Sequence, residues 1–146
     1  MAMDDRASAD AETTWPERVV VGVDDSPEAS LALERALELA MRAGSTVVVV
    51  HAVGLLEGAG YRREFDLDEM IAKANARVGC PAELLAPPIK EVGPPADVLE
   101  RVVERVGGDL IVVGRRGSGV AWRPLGSTSE GVLTRASVPV LVVSRH

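Results

Sequence analysis

The chain has 146 residues, of which 47% are apolar and only 3% aromatic, and its formal charge at neutral pH is −6. This length corresponds to one ordinary domain whose core is built from Val, Leu, Ala and Ile, as in a parallel sheet covered by helices. The acidic balance excludes general nucleic-acid binding, and the single cysteine, Cys80, excludes an intrachain disulfide and a cysteine zinc cluster.

The first segment of the chain is small, polar and acidic. We expect residues 1–16 to form a disordered tail ahead of a folded domain at residues 17–146. The start of the chain lacks the basic residues and the apolar block of a signal peptide, and no apolar run approaches the roughly 20 residues that cross a bilayer. The sequence therefore predicts a soluble, cytoplasmic protein with no membrane association.

A strand followed by a helix opens the predicted domain. Residues 18–24, RVVVGVD, form a β-branched run that ends in carboxylates, which is typical of a buried strand. In the helix that follows, Ser26 is a suitable N-cap, Pro27 suits the first helical position, and Glu28 complements the helix dipole. Gly44 closes the helical pattern.

The same alternation of strand and helix continues along the chain. Strands are predicted at residues 45–53, 82–93, 109–114 and 138–145, and helices at residues 66–78, 95–107 and 128–136. Pro87 and Pro88 interrupt the third strand, and proline cannot donate to a ladder, so that strand belongs at a sheet edge. This order predicts an α/β fold with a mostly parallel sheet and helices on both faces.

Ligands of open parallel sheets lie beyond the carboxyl ends of the strands, where the strand order reverses. Three segments occupy such positions here: Asp24 with Asp25, His51 with Ala52, and the loop that begins at Gly114. We expect any ligand to be held by residues from these segments.

The loop GRRGSGVAWRPLGST, residues 114–128, contains four glycines between a strand and a helix. Glycines let backbone N–H groups approach an oxyanion, and a helix N-terminus adds about half a positive charge. The spacing matches neither the phosphate loop with Gly-Lys-Ser/Thr nor the dinucleotide fingerprint. Glycine content alone leaves a plain turn and a phosphate site open, and the position between strand and helix favours the phosphate site.

Several side chains near these segments carry two interpretations. Arg115, Arg116 and Arg123 either face solvent or pair with phosphate oxygens, and Trp122 either packs at the surface or covers a ligand. Asp25 is interpreted as a turn or capping residue rather than as half of a catalytic pair.

The sequence supplies no catalytic apparatus that we can assemble. His51 is the only histidine inside the chain and is interpreted as a packing or hydrogen-bonding residue, so a Ser-His-Asp arrangement is not available. Cys80, after Gly79 at a helix end, is interpreted as structural. We predict no catalytic residues and no metal site, and enzyme activity stays open, with slow ATP hydrolysis as its upper limit.

Six segments carry a resemblance to a known family: VVVGVDDSPEASLALERALELA, VVVVHAV, GPPADVLERV, DLIVVGRRGSG, LGSTSEGVL and VPVLVV. In this order they resemble the universal stress protein family from about Val19 to Val143. The resemblance implies an open five-stranded parallel sheet in the order 3-2-1-4-5, with strand 1 beside strand 4. It also implies an adenine-nucleotide site, since many members bind ATP through a G-x2-G-x9-G-(S/T) pattern after the fourth strand.

Carried over position by position, the resemblance implies binding of ATP, possibly with Mg²⁺. Asp24 would meet the adenosine end, Ala52 would border adenine, and Val113 would pack near the ribose. The glycine loop and the following helix start would contact ribose and phosphates through Gly114, Gly117, Gly126, Ser127 and Thr128. Eight residues, rather than nine, separate the second and third of these glycines.

The resemblance further implies a regulatory module of the stress response that works as a homodimer. The last strand, from Pro139 to Val143, is apolar throughout, and family members pair it across a two-fold axis. Regulatory protein partners are expected but not identified. The alternative is a nucleotide-free dimeric interaction protein of the same fold, and a weaker one is an adenylyl or phosphoryl transferase, for which the sequence lacks a charged catalytic motif.

Overall fold

The computed structural model describes residues 14–54, 65–116 and 125–145. These residues form a five-stranded parallel sheet in the order β3-β2-β1-β4-β5. The strands are β1 (Arg18–Gly22), β2 (Thr46–Val53), β3 (Ile89–Val92), β4 (Leu110–Gly114) and β5 (Val140–Val143). The helices are α1 (Pro27–Ala43), α2 (Leu67–Val78), α3 (Pro95–Val106) and α4 (Ser127–Arg135). The predicted α/β fold and its strand order are confirmed.

Helix α1 is capped at both ends by the residues that the sequence predicts for these positions. The Ser26 side chain accepts a hydrogen bond from the Ala29 N–H at 3.1 Å, and Pro27 stands in the first turn. At the other end Gly44 takes a left-handed conformation, φ 73°, and its N–H donates to the Ala40 carbonyl at 2.7 Å. Because only glycine adopts this conformation freely, the helix ends there.

The sheet is covered on both faces, and β1 lies at its centre. Val19 and Val21 belong to the core cluster on the face covered by α1 and α2, whereas Val20, between them, belongs to the cluster on the face covered by α3 and α4. All three side chains are fully buried, and burial of each contributes about 1.5–3 kcal/mol to the free energy of unfolding. Successive strand residues point to opposite faces, so a continuous apolar run is what a doubly covered strand requires.

The strand that follows the paired prolines lies at a sheet edge, as predicted, and begins only at Ile89. On this edge Glu91 forms ion pairs with Arg105 at 2.8 Å and with Arg101 at 3.0 Å. The hydrogen bonds from Arg105 and then Arg101 lower the pKa of the Glu91 carboxyl from its ordinary value. Charged side chains of this kind protect an edge strand from pairing with another chain.

The segment before β1 is attached to the domain through Trp15 and Pro16. The Trp15 indole N–H donates to the Asp109 carbonyl at 3.1 Å, and Pro16 is buried. The Asp109 carboxylate accepts the N–H groups of Glu17 and Arg18, both at 2.8 Å. Trp15 and Pro16, at the end of the expected tail, therefore lie against the amino end of the sheet.

None of the helices in the described ranges combines the length and the apolar character needed to cross a bilayer.

Candidate functional site

A crevice opens at the carboxyl ends of β1, β2 and β4. The strand order reverses at this point, because β1 has β2 as its neighbour on one side and β4 on the other. The crevice is open to solvent. The residues that line it include Asp24, Ala52, Val113, Gly114, Arg116 and Thr128. Five of the eight predicted site residues are therefore brought to one crevice.

The remaining three lie in or beside the glycine loop. Gly126 and Ser127 directly precede Thr128 at the start of α4. Gly117 lies outside the described residues, as do Trp122 and Arg123 of the same loop.

Asp24 is held where β1 gives way to α1. Its carboxylate accepts the Ser26 N–H at 2.9 Å, which closes a turn directly before the helix. Asp25 is exposed and lies along a different groove from the crevice. Of the two neighbouring carboxylates, only Asp24 reaches the crevice.

His51 lies buried at the crevice wall, close to the end of β2. Its Nδ1 is 2.9 Å from the Val23 carbonyl, and its ring meets Phe65 edge to face at 4.5 Å. A carbonyl can only accept, so Nδ1 carries the proton in this hydrogen bond. His51 therefore fixes the chain where it turns from β1 toward Asp24, which is the hydrogen-bonding role expected from the sequence.

The start of the glycine loop is held by Glu28, for which the sequence predicts only a favourable interaction with the helix dipole. The Glu28 carboxylate accepts the backbone N–H of Arg116 at 2.7 Å, and the Arg116 guanidinium lies 3.5 Å from its other oxygen. Glu28 is only 7% exposed. Because 88 residues separate the two partners, no local motif could have indicated this contact.

The described amides of the loop donate within the protein. The Arg115 N–H donates to the Val143 carbonyl at 2.7 Å, and the Gly126 N–H donates to the Arg115 carbonyl at 2.8 Å. Together with the Arg116 amide, these groups hold the two ends of the loop in place. In the described part of the loop, anion binding would depend on the start of α4 rather than on these amides.

The N-terminus of α4 presents N–H groups that no side chain caps in the part of the chain that the structure describes. Its N-cap, Gly126, has no side chain, and the Ser129 hydroxyl donates to the Gly114 carbonyl instead. The first turn of a helix carries N–H groups without intrahelical partners, here those of Ser127, Thr128 and Ser129. These N–H groups carry a partial positive charge at the edge of the crevice, next to Thr128, and Glu130 adds a negative charge to the same turn.

Cys80 is buried after α2 and does not line the crevice. The Asn75 side chain accepts its N–H at 2.7 Å and donates to its carbonyl at 3.0 Å. Burial, and then the nearby charge of Glu83, raise the pKa of the thiol. A thiol that stays protonated is a poor nucleophile and metal ligand, which agrees with a structural role.

The described residues thus form a doubly wound α/β protein with a crevice where ligands bind in such sheets. The model of the universal stress protein family matches residues 16–144. The chain belongs to the universal stress protein family. A comparison with curated proteins found no match.

Solved structures share this fold over most of the chain. A universal stress protein in complex with cAMP is 28% identical, with a TM-score of 0.65, over 88% of this chain and 96% of that one. The universal stress protein from Archaeoglobus fulgidus in complex with dAMP is 25% identical, with a TM-score of 0.57, over 86% and 96%. A family member from Burkholderia pseudomallei is 29% identical, with a TM-score of 0.59, over 87% and 95%.

The close approach of β4 to α1 predicts that Gly114→Ala destabilises the fold. A Cβ at this position would lie 3.0–3.1 Å from the Glu28 carbonyl group and Cβ, and backbone cannot move aside cheaply. We expect a loss of about 1–3 kcal/mol in the free energy of unfolding, measured by urea denaturation. Gly54→Ala is the matched control, because none of the described residues lies within 4 Å of a Cβ there. Equal stability of the two variants would contradict the close approach.

Proposed function

We propose that this protein binds an adenine nucleotide in the crevice, with ATP as the expected ligand, and acts as a regulatory module of the stress response without fast hydrolysis. The observation that carries the proposal is the uncapped N-terminus of α4 beside the crevice at the switch point of the sheet. The relatives solved with cAMP and dAMP support an adenine nucleotide as the ligand class.

The residues around the crevice suit the parts of such a ligand. Ala52 and Val113 provide apolar wall for adenine and ribose, and the Asp24 carboxylate can accept hydrogen bonds from the adenosine end. The amides of the first turn of α4, with the hydroxyls of Ser127 and Thr128, can donate to phosphate oxygens. Where Mg²⁺ accompanies ATP, Asp24 and one of these hydroxyls are the oxygen ligands that it would use.

The second candidate is a nucleotide-free interaction protein of the same fold. It is favoured by one observation: the amides of Arg115, Arg116 and Gly126 already donate to acceptors within the protein. In this case the glycine loop is a connection only, and association with other chains is the function.

The two candidates differ in what a purified preparation carries. We expect denaturation of the protein to release adenine nucleotide in near one-to-one amount, detected by absorbance and chromatography. Protein stripped of nucleotide should show a higher melting temperature in millimolar Mg-ATP, since a ligand that binds only the folded state stabilises it. If no nucleotide is released and Mg-ATP causes no thermal shift, the second candidate is supported instead.

A change of charge at Thr128 separates binding from folding. An aspartate near a helix N-terminus stabilises the helix by about 0.3–1 kcal/mol, so Thr128→Asp should leave the fold intact. The same carboxylate repels phosphate, and we expect at least about tenfold weaker nucleotide binding by titration calorimetry. Thr128→Asn, whose side chain has the shape of aspartate but no charge, is the matched control. Unchanged affinity in the aspartate variant would contradict phosphate binding at α4.

We also propose that the protein is a homodimer through the strand from Pro139 to Val143. This strand lies at a sheet edge, and Leu141 on it is 41% exposed. An apolar edge strand has unpaired backbone groups that pair readily with a second strand. The opposite edge, β3, has the ion pairs of Glu91 instead, which favours β5 as the contact between copies.

A charged residue at this edge should disrupt the dimer. We expect the wild-type protein to sediment as a dimer at micromolar concentration and Leu141→Lys to shift it toward monomer. Val92→Lys is the matched control, since Val92 is an exposed apolar residue, 61% accessible, on the other edge strand. A monomeric wild type, or equal effects of the two variants, would contradict the proposed interface.

A further inference from the structure

The buried carboxylate of Glu28 contacts Arg116 beside the proposed anion site. Glu28 accepts the Arg116 amide at 2.7 Å through one oxygen, and the Arg116 guanidinium lies 3.5 Å from the other. The Glu28 side chain is 9% exposed, whereas that of Arg116 is 39% exposed and lines the crevice. The backbone N–H and the guanidinium of Arg116 thus face the Glu28 carboxylate, although Arg116 borders the space for a ligand.

An amide N–H together with a guanidinium is also the donor set that a phosphate group takes. The Glu28 carboxylate therefore occupies, on Arg116, donors that a ligand phosphate would otherwise use. It also adds a fixed negative charge close to the crevice. Both effects weigh more on a ligand that carries more phosphate charge.

We propose that Glu28 is a specificity-determining residue that limits the phosphate charge of the bound nucleotide. While Glu28 is paired with Arg116, one phosphate group can bind at the N-terminus of α4. The charge of Glu28 then opposes the binding of further phosphates. The charge on Glu28 thus sets the ratio of affinities for a nucleoside triphosphate and a monophosphate. This inference rests on the proposed nucleotide binding.

A structural anchor alone would not require a charge at this position. A glutamine oxygen could accept the Arg116 N–H in the same place and keep the start of the loop anchored. Glu28→Gln therefore removes the charge and keeps the acceptor. A merely structural role predicts that the two nucleotides respond alike to this change, whereas a role in charge selection predicts a change in their ratio.

The test measures the dissociation constants of ATP and AMP by titration calorimetry for the full chain. We expect Glu28→Gln to favour ATP over AMP by about three- to tenfold relative to wild type. Glu34→Gln is the matched control: it removes the same charge from the same helix, where Glu34 pairs with Arg77 at 2.7 Å. The control should leave the ratio unchanged.

Arg116→Gln tests the other partner and keeps the backbone N–H that Glu28 accepts. We expect this variant to shift the ratio toward AMP, because Glu28 loses its countercharge. In the double variant, Glu28→Gln should still shift the ratio toward ATP, because it then removes an uncompensated charge. Arg116 is partly exposed, so its variant provides a readout even if Glu28→Gln fails to fold.

The outcomes separate this inference from the proposed function. If both nucleotides bind and Glu28→Gln changes their affinities by the same factor, or not at all, the inference alone is overturned. A ratio that Glu28→Gln leaves unchanged in the Arg116→Gln background likewise overturns it. If neither nucleotide binds wild type or any variant, the proposed function and this inference are both overturned.

Discussion

The contact between the end of β4 and the first turn of α1 is the constraint on which the crevice depends. Gly114 has no side chain, so the strand can approach the Glu28 backbone to a distance that a Cβ would not allow. From this point the Glu28 carboxylate reaches the Arg116 amide, and the Ser129 hydroxyl reaches the Gly114 carbonyl. One missing side chain thus lets α1, the glycine loop and α4 meet at one place.

Much of the fold follows from local chemistry and could be predicted from the sequence. The ends of α1 depend on Ser26 and Gly44, and the actual hydrogen bonds and the left-handed glycine agree with that prediction. Continuous apolar runs indicated strands covered on both faces, as in β1. The edge position of β3 followed from two prolines that cannot join a ladder. The strand order came from the family resemblance and is confirmed.

The candidate site was less accessible to sequence reasoning, because its decisive contacts join distant parts of the chain. The rule that ligands lie beyond the carboxyl ends of strands correctly led to Asp24, Ala52 and the Gly114 loop as neighbours. Nothing in the spacing of residues could indicate that Glu28 would accept an amide 88 residues away. Nor could glycine content indicate that the Arg115 amide would bond to the carbonyl of Val143.

The attachment of Trp15 to Asp109 has a practical consequence for handling the molecule. This contact lies at the amino end of β1, whereas the crevice lies at its carboxyl end, about 16 Å of strand away. An affinity label joined ahead of Thr14 therefore starts at the end of the strands opposite the crevice. The chain that follows Val143, by contrast, leaves β5 on the crevice side. Surface immobilisation through the amino-terminal segment is accordingly the orientation that starts farthest from the crevice.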